Sequence, residues 1–437
     1  MPTEERPMPT EDVPMRVSAF VYPWDVIGDP DAAPRLASLG IRQATLASAY
    51  HSTRALTPRH PARRIVTARH SAVLYPPEAR YWEGRALRPC GQQDWAVSGH
   101  PGGAYGEAAE ALAAAGLEVH SWVVLAHNSR LGEEFPHLTV RNAYGDSYPW
   151  APCIGQPQVR DHLVALAAEA AVRPGTHGTE LESCGWYGFA HLHAHDKTQG
   201  VRLGGAGEYL MSLCFCPDCR TGYAEAGADP DVLRSAVVRA LEPLWRGEQP
   251  PGGGAGTGRD AGSVRNTEEE QIGRLLGEET AEAVAAWRRR AADRLRSAAV
   301  AAVRERAGAG FRVLLHADPA AHRTGANAGA EPAAALEHAD GVVLPCPGGA
   351  GGAGGRADVL GPFAAYRSAN ATSRDAVFAA NFGIVSGMGG SPHTLAADAA
   401  HARQLGADEL RLYHGGLASD ADLEAVRAAL PEPAAAE

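Results

Sequence analysis

Lysine is almost missing from this sequence: of 40 lysine and arginine residues in the 437-residue chain, only Lys197 is a lysine. With abundant Ala, Gly and Pro, this marks a GC-rich coding bias and not a mechanism. Positive charge is also in deficit, with a formal net charge of −11. A nucleic-acid binder needs a basic stripe to neutralise phosphates, so no nucleic-acid partner is expected. No apolar run approaches the ~18 residues of a membrane span, so no membrane partner is expected either. The opening MPTEERPMPTEDVPM has neither the basic nor the apolar region of a signal peptide. The expectation is a cytoplasmic protein. No strand-like run is followed by G-x-G-x-x-G, which argues against a nucleotide cofactor.

Hydrophobic residues make up 45% and charged residues 21%, an ordinary globular balance. Apolar β-branched runs alternate with Ala-rich helical stretches. Strands are predicted over Arg16–Val21, Ile41–Ala47, Leu117–Leu125, Gly178–Glu182, Phe311–His316, Gly341–Pro345, Val377–Asn381 and Glu409–Tyr413. Helices are predicted after nearly all of them: 34–39, 107–115, 158–171, 278–307, 332–338, 360–368, 393–404 and 420–429. Eight strand–helix units with right-handed crossovers match an α/β fold, the (β/α)8 TIM barrel, with a doubly wound sheet as the alternative. The expected organisation is a disordered leader over 1–14, a barrel catalytic domain over 15–430, and a tail over 431–437. The barrel carries a long excursion after strand 4 (197–277), which includes a flexible Gly-rich loop at 247–263. No regular element is assigned between His51 and Gly103, and Gly348–Gly355 reads as a second flexible loop.

Barrel active sites gather at the C-terminal ends of the strands. Those ends carry Asp25, His51, His127, Asn128, Glu180, Glu182, His316, Asp318, Asn381, Tyr413 and His414. Residues two apart in a strand share a face, so Glu180 and Glu182 point the same way, as do His316 and Asp318. Each polar group taken alone could simply cap a strand, but their recurrence points to a site. The segment WYGFAHLHAHDK adds His191, His193 and His195, which are read as a metal platform, as substrate contacts or as surface histidines. Trp24, Tyr50, Trp122, Trp150, Trp186 and Tyr187 fall near the same mouth, where rings either stack on sugar faces or form core.

Seven cysteines, an odd number without a secretory signal, favour metal binding or buried thiols over disulfides. Cys214, Cys216 and Cys219 form C-x-C-x2-C. They suit a structural zinc, with Cys153 or Cys184 as fourth ligand, or a turn that packs without metal.

The stretch from Pro149 to Trp186 carries GQPQVR opening a helix and then HGTELE. It resembles the N-P-x-V-R, helix, D-G-I-x-L-D run of glycoside-hydrolase barrels, in which an acid ends strand four. The Cys-x-Cys-x2-Cys followed by Arg220 and a helix is similar to a segment downstream of strand four in several sugar-processing barrels. This family-level resemblance implies hydrolysis of a glycoside or carbohydrate-like small molecule, with Glu182 as general acid or nucleophile. The sequence departs from large retaining glycosidases at strand seven, which ends in Asn381 where they place a second carboxylate. Strand six ends without an acid as well. The partner of Glu182 would be Asp318, Asp25 or Glu180, with Asp318 the leading candidate. Substrate contacts are expected from Asp25, His51, Trp122, His127, Asn128, Trp186, His191, His193, His195, His316, Asn381, Tyr413 and His414. Two other readings stay open. One is a metal-dependent hydrolase or lyase using the histidine segment with Glu182 and His316. The other is a barrel that binds carbohydrate without catalysis.

Overall fold

The computed structural model describes residues 15–91, 98–190, 196–248 and 261–430, with the side chains of 261–267 excepted. Eight strands pair in parallel around a closed ring. They are β1 (Arg16–Val21), β2 (Gln43–Tyr50), β3 (Glu118–Val124), β4 (Gly178–Glu182), β5 (Arg312–His316), β6 (Gly341–Pro345), β7 (Val377–Gly383) and β8 (Glu409–Tyr413). Neighbours in sequence are neighbours in the ring, and β1 closes it by pairing with β8, Arg16 opposite Glu409. The strands are buried on both faces, as parallel strands covered by helices must be, and the polar residues they carry, Gln43, Thr45 and Ser121 among them, are buried with them.

Eight helices follow the strands: α1 (Ala32–Ser38), α2 (Gly103–Ala114), α3 (Pro157–Ala171), α4 (Glu278–Arg306), α5 (Pro332–Leu336), α6 (Ala353–Ala369), α7 (Leu395–Gln404) and α8 (Asp420–Ala429). This is the (β/α)8 architecture the alternation predicts. Their ends carry the expected signals. Pro157 opens α3, where its missing N–H costs nothing. Ser419 and Asp422 form a capping box on α8. The longest helix, α4, starts with Glu278 and Glu279 and ends with Arg304 and Arg306, which oppose its dipole at both ends. Val284, Trp287, Ala291, Leu295, Ala299 and Val303 recur along α4 at helical spacing and form its buried face, and α3 is among the elements packed on this helix.

Three sequence expectations need correction. The connection between His51 and Gly103 is not structureless. It holds a hairpin (Thr53–Leu56 with Ile65–Ala68), a two-residue strand (Ala72–Val73) antiparallel to β2, and one helical turn (Ala79–Trp82). No apolar period reveals it, because polar anchors hold it. Buried Glu169 of α3 accepts from Tyr75 Oη (3.1 Å), Trp82 Nε1 (2.7 Å) and Glu78 N (2.6 Å). The Gly348–Gly355 segment is also ordered, as a turn at Ala350–Gly352 running into α6. Arg356 fixes it by donating to Pro347 O (2.7 Å) and pairing with Asp398 (3.0 Å), and a Cβ at Gly352 would lie 2.5 Å from Pro347 O. Part of the 247–263 loop is helical: Ala261–Leu276 forms a helix, while 249–260 lies outside the described residues.

Between β4 and α4 the excursion contains helices Gly204–Met211, Pro217–Glu225 and Pro230–Trp245 before Ala261–Leu276. After β3, a second hairpin (Thr139–Arg141 with Ser147–Pro152) leads to α3. No helix among the described residues is long and apolar enough to cross a membrane.

Candidate functional site

β4 delivers both of its glutamates into the barrel, one turn of the pleat apart, and the two meet different surroundings. Glu180 is fully buried, with Oε1 accepting from Arg411 Nε (2.7 Å), Gln43 Nε2 (3.3 Å) and Thr45 Oγ1 (3.3 Å). Burial alone would raise its pKa, but the adjacent Arg411 guanidinium brings it down to about 2. Arg411 also pairs with Glu409 (2.9 Å), which in turn meets Arg312 (2.9 Å). Glu180 is therefore a member of a buried ion network rather than a free acid.

Glu182 lies one layer closer to the mouth. Trp122 Nε1 donates to its Oε2 at 2.9 Å and Tyr413 Oη to the same oxygen at 3.2 Å. Burial raises its pKa, against the opposing pull of His316 and of these two donors. His316 stands between the glutamates, with Nε2 3.7 Å from Glu180 Oε2 and Nδ1 3.8 Å from Glu182 Oε2.

Aromatic side chains wall this centre. Phe20 packs edge-on against Trp122 (4.8 Å between centroids), His316 (5.5 Å) and Tyr413 (5.1 Å). Tyr22 donates to Tyr50 Oη at 2.9 Å and meets His414 Nδ1 at 2.9 Å. Burial, and then the charge of His51, depress the pKa of His414 to about 3. At the rim His127 stacks on Tyr187 (4.4 Å) and meets His51 edge-on (4.6 Å).

Above Tyr413 a cavity of about 1010 Å³ opens, lined by Asp318 beyond β5, Pro345 and Cys346 at the end of β6, Asn381 of β7, and Glu208, Glu268 and Arg323. Its size is at the upper end of the ~300–1,000 Å³ range of small-molecule sites. Asn381 Oδ1 is buried with no hydrogen-bond partner, and Asp318 Oδ1 accepts from Ala320 N (2.8 Å). Tyr413 links this cavity to Glu182.

The structure thus gathers Glu182, Trp122, His316, Tyr413 and His414 at one centre, His51 and His127 at its rim, and Asp318 and Asn381 along the cavity. Three expected contacts sit elsewhere. Asn128 caps the helix Ser129–Glu134 by accepting from Leu131 N (3.0 Å). Trp186 donates to Arg288 O (2.9 Å) beneath the excursion. Asp25 accepts from Tyr22 N (2.9 Å) and faces a small pocket with Asp29, Arg35 and Arg59. Burial pushes its pKa up to about 7. His191, His193 and His195 lie outside the described residues. The sequence reading missed Arg411, Gln43 and Thr45, although the alternation in Glu409-Leu-Arg-Leu-Tyr413 is the signal of a polar inner face.

The cysteine cluster has four members. Cys153, Cys214, Cys216 and Cys219 are buried with their sulfurs within 4.8 Å of one another. Cys153 Sγ is 3.7 Å from Cys216 Sγ and 3.5 Å from Cys219 Sγ. Four thiolates on a zinc at ~2.3 Å stand about 3.8 Å apart, so this set fits a tetrahedral metal. Cys214 Sγ also accepts from Arg141 N and Cys216 N, both at 3.4 Å. Cys153 is the fourth member. Cys184 is not in the cluster; it is a separate buried thiol whose pKa burial pushes up to about 12. A Cβ at Gly155 would lie 2.6 Å from Cys219 Sγ, so the backbone there approaches the cluster as only glycine allows.

No family model matches this chain, and no curated protein matches its sequence. Among solved structures, the PgaB (BpsB) glycoside hydrolase domain from Bordetella bronchiseptica gives a TM-score of 0.49 at 13% identity, over 96% of this chain and 99% of that one. A beta-galactosidase from the psychrophilic Marinomonas ef1 gives 0.48 at 9% identity, over 95% and 58%. Alpha-L-fucosidase isoenzyme 2 from Paenibacillus thiaminolyticus gives 0.50 at 13% identity, over 95% of this chain and 49% of that one. This chain therefore spans about half the length of the fucosidase. The structural neighbours are glycoside hydrolases, and the likeness to the fucosidase shows a shared barrel fold.

Proposed function

We propose that this protein is a glycoside hydrolase acting on a glycoside or carbohydrate-like small molecule at the C-terminal mouth of the barrel. The observation that carries the reading is Glu182: a buried carboxyl at the end of β4, joined through Tyr413 to a large cavity, with both donors on one oxygen. An indole N–H only donates, so Oε2 is engaged as an acceptor and the proton of the neutral acid belongs on Oε1. Burial favours that neutral form, which suits a general acid giving its proton to the glycosidic oxygen. Asp318, on the cavity wall beyond β5, is the proposed second carboxylate, acting as nucleophile or as the base that activates water. His316 tunes Glu182, and Asn381 offers its unpartnered oxygen to a substrate hydroxyl. His51, His127 and Tyr187 form the proposed aromatic rim.

Replacing Glu182 with Gln preserves the two hydrogen bonds to its carbonyl oxygen while removing the acid. Turnover of a panel of aryl glycosides should disappear in Glu182→Gln with its circular dichroism and thermal melt intact. Near-wild-type turnover in that variant overturns the assignment.

The four-cysteine cluster is proposed to hold a structural zinc through Cys153, Cys214, Cys216 and Cys219. Four thiolates leave no open position for a substrate. The metal would fasten the hairpin before α3 to the excursion after β4 and supply folding energy there.

A further inference from the structure

We propose that Arg288 is the counter-charge of the metal-loaded cysteine cluster. Arg288 projects from α4 and is 3% exposed, yet it has no carboxylate partner among the described residues. Its Nη1 donates to Ser212 O (3.3 Å), two residues before Cys214, while Nε and Nη2 have no hydrogen-bond partner. Its guanidinium lies 4.5 Å from the Trp186 ring and 5.1 Å from the Tyr209 ring. Buried charges are ordinarily paired, because an unpaired one loses its hydration without return. The missing anion is therefore to be sought nearby.

The contacts lead to the cluster. A Cβ at Gly155 would lie 3.4 Å from the edge of Trp186 and 2.6 Å from Cys219 Sγ, so the ring that stacks on Arg288 also borders the sulfurs. Next to Arg288 on α4, Trp287 would meet a Cβ at Gly222 at 2.3 Å, so α4 lies directly on the helix that carries Cys219. Tyr223 follows Cys219 by four residues on the same helix, fully buried, and its hydroxyl also has no partner. A guanidinium with two of its three nitrogens unpartnered and a phenol with no partner are thus buried in the surroundings of the cysteine cluster.

Neutral thiols would leave Arg288 without a counter-charge, its partners being a carbonyl oxygen and two rings. Four thiolates around a divalent cation carry a net charge of −2, which supplies the missing anion. Arg288 offsets part of that charge. The cationic side chain and the loaded cluster are then thermodynamically linked, each stabilising the other. This inference rests on the metal reading of the cluster and is independent of the glycosidase reading.

The test measures zinc affinity of the full chain by competition with a chelator. Arg288→Met keeps the length and removes the charge. Affinity should fall about 10–100-fold, the effect expected of a group that supports metal ligands, and Arg288→Lys should restore most of it. Cobalt loaded in place of zinc should keep its thiolate charge-transfer bands in all three proteins, showing four sulfur ligands throughout. Thermal melts give the second readout. The Tm loss caused by Arg288→Met should vanish or reverse in a Cys216→Ser background, where the anion is weakened. Unchanged zinc affinity in Arg288→Met, or an equal Tm loss in both backgrounds, overturns the proposal. If Arg288→Met does not fold, the Lys variant decides: wild-type-like affinity supports the charge role, and a loss as large as that of Cys216→Ser refutes it. Wild-type chain that purifies without metal and binds none would refute the metal reading itself, separately from the role of Arg288.

Discussion

Tyr413 and Glu182 join opposite sides of the barrel, the end of β8 to the end of β4, through a 3.2 Å hydrogen bond. Each is followed by a residue in left-handed backbone, His414 at φ 65° and Ser183 at φ 55°, the two non-glycine positions of this kind among the described residues. Such conformations cost of order 1–3 kcal/mol and persist where the surroundings fix them, commonly at functional sites. Here both turn the chain sharply just after the side chains that meet.

That bond opposes the upward effect of burial on the Glu182 carboxyl. Tyr413→Phe removes it and should raise the Glu182 pKa further. If Glu182 is the acid, activity is lost as pH rises through that pKa, so the basic limb of kcat against pH should move upward by about one unit. A basic limb that stays in place in Tyr413→Phe would separate the phenol from the reacting acid.

Arg411 tests the layer below. Its side chain is fully buried between Glu180 and Glu409, and removing one member of a buried ion network leaves charges without compensation. Arg411→Met should cost about 3–5 kcal/mol in urea unfolding, far more than an exposed arginine. A loss under 1 kcal/mol would mean the network contributes little. The folded-state pKa of Glu180 is depressed, so its contribution is present above the ordinary carboxylate range and is lost as pH falls toward 2.

Asp25 has the opposite sign. Its pKa rises from 3.8 in an exposed chain to about 7 in the fold, so its favourable contribution is complete below pH 4 and disappears as pH rises through 7. Asp25→Asn keeps an oxygen for Tyr22 N and removes the titration. The variant should match the wild type at pH 4 and exceed it at pH 8 by roughly 1–3 kcal/mol, solvent around this partly exposed group screening the rest. Equal stability of the two at both pH values would refute the upward shift.

Cys216→Ser should release the metal and lower Tm by several degrees, with turnover per folded molecule little changed. Metal analysis together with calorimetry checks the first part and active-site titration the second. Full stability with lost turnover would place the cluster in the chemistry instead.

Four strands, β1, β4, β6 and β8, have the bounds expected from the sequence, as does α8, which opens on the Ser419–Asp422 capping box. The His51 to Gly103 connection was illegible since its anchors are single side chains reaching Glu169, 87 to 94 residues away, and not a repeating apolar face. The strand-end rule placed Glu182, His316, Asp318, Asn381 and Tyr413 near one another. It could not separate Glu180 from Glu182, because what divides them is Arg411 from the far side of the ring. Asn128 and Trp186 obey the same rule and serve as a cap and a packing contact, a distinction made only by their neighbours in space.

The closure of β1 on β8 bears on how the chain is made. Until Glu409–Tyr413 leaves the ribosome, the nascent sheet has two open parallel edges, β1 and β7, and no means of sealing them. The same strand delivers Arg411 to Glu180 and Tyr413 to Glu182. Sealing the ring and completing the site are therefore a single late event in biosynthesis, and a chain stalled before residue 409 would carry both an adhesive sheet and uncompensated carboxylates in its interior.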